Sequence, residues 1–174
     1  MRWLQKFLGT AAVSPDQDPE YSQTMHKAEQ ALSSLPEAEA RFIACVAYLM
    51  ARVGHVDFQI SEGEKSRLLG LLKTDLKLPD HLAGVTVEIA IESTLSHANE
   101  RHLVLNRLND VATREQKCDV IRLLFHVASD DDISEAESHE IGMVATALHL
   151  TRAEFISLRS EFRNHLSILK DKRP

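Results

Sequence analysis

A chain of 174 residues, 44% of them hydrophobic, is long enough to bury one sizeable core and gives no reason to expect two. Its 20 Lys and Arg residues are outnumbered by 26 Asp and Glu, for a formal net charge of -6, which disfavours a phosphate-tracking surface and so excludes nucleic acid as the expected partner. Cys45 and Cys118 are the only cysteines and form no Cys-x-x-Cys pair, no apolar run reaches the roughly 18 residues of a membrane span, and the first residues lack the order of a signal peptide, so the expected location is the cytoplasm.

Residues 1–8 form a short amphipathic stretch, with Trp3, Leu4, Phe7 and Leu8 on one side and Arg2 and Lys6 on the other. About two turns of helix are marginal alone, and at a bilayer surface such a segment gives at most weak peripheral contact. Breaker residues, including Pro15 and Pro19, make the rest of 1–20 a linker, so the folded domain is expected over 21–174.

From there the apolar spacing is helical and no segment reads as a strand. A helix is predicted over 21–33, and Pro36 marks the start of the next, which places Phe42, Val46, Leu49, Met50 and Val53 on one core face. Four reciprocal capping patterns, Ser61 with Glu64, Thr113 with Gln116, Ser134 with Glu137 and Thr151 with Glu154, predict helices over 62–76, 114–128, 135–148 and 152–169. Two or three more are expected between Pro79 and Val111, with a break near Ser96. The basic residues of 170–173 suit a helix C-terminus.

The sequence also repeats itself. Asp57, Phe58, Gln59, Ile60, Ser61, Glu62, Gly63 and Glu64 align without a gap on Asp130, Asp131, Asp132, Ile133, Ser134, Glu135, Ala136 and Glu137. Upstream, Val46, Ala47, Leu49, Met50 and Val53 fall on Val120, Ile121, Leu123, Leu124 and Val127 if one loop residue is allowed. Downstream, with one residue of slippage, Leu76-Lys77-Leu78 matches Leu148-His149-Leu150, and a new helix starts at Pro79 and at Thr151. The expectation is an all-α, single-domain bundle in which two pseudo-symmetric helix-loop-helix repeats bury their stripes against each other.

This doubled Asp-x-x-Ile-Ser-x-x-Glu, followed by Leu-x-Leu and a capped helix, resembles the TerB-like family of tellurite-resistance-associated proteins, which includes the N-terminal region of a membrane-anchored DnaJ co-chaperone. The resemblance covers residues 37–162. It implies a fold of about seven helices, a link to stress and tellurite resistance, no established catalysis, and a metal-chelating site whose acidic positions here are Asp57, Glu64, Asp130 and Glu137. The chain departs from the family pattern in carrying Phe58 and Asp131 where Gly is usual, which alters the backbone freedom of both loops.

Carboxylates at helix starts suit hard divalent cations such as calcium or magnesium. The same residues also serve as caps and dipole partners with no metal at all. An EF-hand is excluded, because a loop starting at Asp130 puts Glu135 at the glycine position and Ile141 at the bidentate glutamate position. His126 flanks the second acidic loop as His55 flanks the first, and either a ligand or a packed surface histidine fits that place. No His-Glu-x-x-His, Gly-x-Ser-x-Gly or phosphate-cradling loop is present, so no enzyme is expected. Two functions follow: a non-enzymatic stress-associated protein binding a divalent cation through the acidic loops, or an interaction module for another protein without metal.

Overall fold

The computed structural model describes residues 19–53, 61–93, 101–129 and 132–167. Among these are eight helices: α1 (Pro19–Ser33), α2 (Glu37–Val53), α3 (Glu62–Asp75), α4 (Asp80–Ser93), α5 (Arg101–Val111), α6 (Arg114–Ala128), α7 (Glu135–Ala147) and α8 (Arg152–Glu161). The fold is all-α, as expected, with one helix more than the resemblance implies. The amphipathic stretch 1–8, the break near Ser96 and the basic tail lie outside the described residues.

All four capping patterns form. Ser61, Thr113, Ser134 and Thr151 each sit in extended backbone and accept the N–H three residues on, while the Glu or Gln at that place accepts the cap residue's own N–H. Two orphan donors are satisfied at each helix start, and an Ala at the cap position costs about 1 kcal/mol. The prolines start helices as well. The Pro36 carbonyl accepts from Glu39 and Ala40, and the Pro79 carbonyl from Leu82 and Ala83.

The two Leu-x-Leu turns end α3 and α7 through a left-handed residue, Lys77 at φ 55 and His149 at φ 61. After α7 the turn is a Schellman motif: Leu150 N–H donates to Ala145 C=O and His149 N–H to Thr146 C=O, both at 3.0 Å. After α3 the Leu78 N–H reaches one residue further back, to Leu72 C=O at 3.2 Å. The single residue of slippage in the sequence is the extra residue of α3, 14 against 13 in α7.

Helix α2 is the centre of the bundle. The sequence suggests one core face, but Ile43, Ala44, Cys45, Ala47, Tyr48 and Ala51 are buried as well as Phe42, Val46, Leu49, Met50 and Val53. The cause is tertiary: α1, α4, α5, α6 and α7 all pack against it, so most sides of the helix face another helix and only Arg41 and Arg52 beyond its first turn reach solvent. Truncating one of its large side chains to Ala costs about 2–5 kcal/mol. Chain-order counterparts share neighbours: α3 packs on α4 and α6 as α7 packs on α8 and α2, and α2 packs on α4 as α6 packs on α8.

The last helix is shorter than its spacing predicts, ending at Glu161 rather than near residue 169. The chain turns over 162–165 and forms an isolated parallel bridge between Leu166 and Ile133. Ile133 N–H donates to His165 C=O at 2.7 Å, and Ser167 N–H donates to Ile133 C=O at 3.1 Å. Leu166 and Ile133 are both buried, so pairing the backbone beside them replaces the helical bonds that a longer α8 would have kept.

Candidate functional site

Three places bear on function: the acidic caps, the junction of α3 with α6, and the groove between α7 and α8. At the caps, Glu64 Oε2 accepts from Ser61 N and Oγ, both at 2.7 Å, and Glu137 Oε2 accepts from Ser134 N at 2.8 Å and Oγ at 2.6 Å. The Ser61 hydroxyl, and then its backbone N–H, hold the Glu64 carboxyl below its ordinary range. Asp57 and Asp130, the other two expected cation ligands, lie outside the described residues. Among the described residues no three acidic, His or Cys side chains converge as a metal site.

The surroundings of Glu137 are informative. It lines a small pocket of about 250 Å³ with Ser134, Glu140, Arg52 and Val53, where Arg52 Nε lies 3.3 Å from Glu140 Oε1. The second cap therefore faces the end of α2 that leads into the first acidic stretch. Arg52 pairs with Glu140 there, and Glu137 is the one member of the expected ligand set among the described residues of this pocket.

At the second place, the structure gives His126 a partner with no local signal in the sequence. Its Nδ1 lies 2.6 Å from Asp75 Oδ2, and its ring meets Phe162 edge-on with centroids 4.7 Å apart. The His126 carbonyl accepts from Arg67 Nη2 at 2.6 Å and from Ser129 Oγ at 2.9 Å. Both ends of this histidine are thus tied to α3, and the arrangement is a clamp between two helices. Only a long-range contact, set by how α3 lies on α6, brings Asp75 to it.

The third place was not singled out by the sequence. Between α7 and α8 runs an open groove of about 970 Å³, with Ala136, Gly142, Met143, Leu150 and Phe155 among its lining. Gly142 sets its depth: a Cβ there would come within 3.3 Å of Phe155 Cζ, so the absence of a side chain lets the ring lie close over α7. Phe155 in turn stacks on Phe125 of α6, at 6.0 Å between centroids. Met143 in the groove and Ile156 on the adjoining face of α8 are large apolar residues left exposed, 48% and 53% respectively.

Helix α8 is held to α6 by two ion pairs on the side away from this groove. Arg114 Nε and Nη2 donate to the two oxygens of Glu154 at 2.7 and 2.6 Å, and Arg122 Nε donates to Glu161 Oε2 at 2.9 Å. Bonds from Arg114 and then Thr151 hold the Glu154 carboxyl down at about 2.

Among the described residues no helix is long and apolar enough to cross a membrane. No curated protein and no solved structure matches the chain. The family model for tellurite resistance protein TerB matches residues 42–160, a stretch that begins with the first buried aromatic of α2, includes both acidic caps and the groove, and ends within the last turn of α8. Covering more than half of the chain, that match makes this protein a member of the TerB family.

Proposed function

We propose that this chain is a non-catalytic binding protein acting in tellurite or related stress resistance, and that it works by recognising another protein through the α7–α8 groove. One observation carries this reading: the groove exposes Met143 beside Phe155, and the exposed Ile156 adjoins it, whereas the conspicuous acidic residues Glu64 and Glu137 are engaged in capping their own helices. Exposed apolar side chains grouped on a concave surface mark an interaction site. Placing a photo-crosslinking side chain at Met143, Ile156 or Lys65 in tellurite-stressed cells tests it. The same discrete adduct should form from 143 and 156 and not from 65 on α3; adducts independent of position would sink the reading.

A second reading keeps the divalent cation, calcium or magnesium, held by Asp57, Glu64, Asp130 and Glu137. It is supported by the position of Glu137 beside Val53, at the entrance to the first acidic stretch, and by the Oε1 atoms of Glu64 and Glu137, which take no hydrogen bond from the described residues. A bound ion must raise the melting temperature by linkage and lose that gain in Asp130→Ala. No shift with calcium, magnesium, manganese or zinc removes this reading. We also propose that the two copies are pseudo-symmetric halves, supported by their like caps, turns and shared neighbours.

A further inference from the structure

The charges of α8 are sorted between its two sides. Glu154 and Glu161 are consumed by Arg114 and Arg122 of α6. Arg152 and Arg159, which share a face with Phe155, line the groove and have no ion-pair partner among the described residues. Of the described lining only Glu135 is acidic, against these two arginines. In a chain of net charge -6, this concentration of cations beside apolar residues sets the groove apart from the average surface.

A second observation points the same way. Arg159 Nε is buried and donates to no described group, although a buried guanidinium N–H without an acceptor costs free energy. An occupant carrying carboxylates offers that acceptor once the Arg159 side chain turns outward into the groove. Arginine is also the side chain best shaped to take a carboxylate through two parallel bonds.

We propose that the α7–α8 groove receives an acidic amphipathic helix of a partner protein, its apolar face on Met143, Leu150 and Phe155 and its carboxylates on Arg152 and Arg159. This rests on the protein-recognition reading above and adds to it the chemistry of the partner. The groove suits a helix: its lining residues on α7 recur from Glu135 through His139 and Gly142 to Thr146, and a 13-residue helix is about 20 Å long. A partner segment of about 14 residues spans the same length. Apolar anchors at three-and-four spacing would set its register, and the charged rim would choose the partner and speed the encounter.

The test uses fluorescently labelled designed helices of about 16 residues with one Leu and Phe face. The polar face is Glu in one peptide and Lys in the other, and each is titrated with the full chain while anisotropy is followed. The Glu peptide is expected to bind at least about tenfold tighter at low salt and to lose most of that preference as salt screens the charges. Arg152→Glu should reverse the preference, and an acidic residue in the first turn of α8 is compatible with its dipole, so the fold is retained. Met143→Glu should weaken binding of the Glu peptide. Binding of the Lys peptide as tight as the Glu peptide, still dependent on Met143, overturns the acidic partner while leaving protein recognition in place. Binding of neither peptide in a Met143-dependent way overturns the groove as a helix site altogether, and the crosslinking experiment then decides separately whether a different protein uses it.

Discussion

Asp75 Oδ2 lies 2.6 Å from Nδ1 of His126 although 51 positions separate the two residues, and the pair joins the last turn of α3 to the last turn of α6. With Arg67 donating to the His126 carbonyl from the same helix, it fixes the angle at which the first capped helix lies on the second core helix.

Breaking this clamp should cost stability. The Asp75 side chain is only 9% exposed, so Asp75→Ala is expected to lose about 1–3 kcal/mol, because the His126 ring loses a hydrogen bond that is largely shielded from water. In urea unfolding, the cycle of Asp75→Ala, His126→Ala and the double variant should give a coupling of about 1 kcal/mol. Simple additivity of the two variants contradicts the clamp.

Glu154 carries the most direct pH signature. Its carboxyl is lowered to about 2 in the folded protein from the ordinary 4.5, with the Arg114 bond as the first cause. A depressed carboxylate contributes stability that is fully present above the unfolded value, and that contribution is lost as pH falls from about 4.5 through about 2. Side-chain NMR titration should therefore find Glu154 still ionised at pH 3.5, and Arg114→Ala should move its midpoint upward. A midpoint unchanged by that substitution would falsify the assignment.

The left-handed turns offer stabilising changes. Lys77 and His149 hold φ at 55 and 61, a conformation that costs a residue with a Cβ roughly 1–2 kcal/mol and glycine almost nothing. Part of the gain is offset by the greater freedom of glycine in the unfolded chain. Lys77→Gly and His149→Gly are each expected to stabilise by about 0.5–1 kcal/mol in denaturant unfolding. Ala at the same places should give no gain.

The two thiols should differ in reactivity. Burial pushes the Cys45 thiol up to about 12, with its Sγ 3.5 Å from the Val104 carbonyl on α5. Cys118 on α6 is only partly buried, and desolvation raises it without enclosing it. Maleimide at pH 8 is expected to label Cys118 in the native protein and Cys45 only on unfolding. Equal native rates would show that α2 is not enclosed as described.

What could be read from the sequence was local. The four capping boxes are complete within four residues each, so their helix starts are where Ser61, Thr113, Ser134 and Thr151 place them. The Leu-x-Leu turns are equally short-range, and the one-residue slippage between copies reappears as the extra residue of α3. What could not be read depends on distant partners. Helix α2 carries apolar residues on more than one side, but its position among five neighbours follows from packing. The end of α8 depends on Ile133, far back in the chain, pairing with Leu166. The groove has no signature in the sequence because its lining is ordinary: Gly142, Phe155 and Arg159 gain meaning only once α7 and α8 lie side by side. Half of the expected acidic site, Asp57 and Asp130, falls outside the described residues, so only the capping role of its other half is visible.

The most direct measurement sets the groove against the caps in one assay. Cells lacking the chain are complemented with Met143→Glu or with the paired Glu64→Gln and Glu137→Gln variant, at matched protein levels, and survival on tellurite is scored. Loss of resistance with Met143→Glu, alongside retention with the paired cap variant, is the predicted result. Full resistance with Met143→Glu, together with loss in the paired variant, would contradict the groove as the working surface.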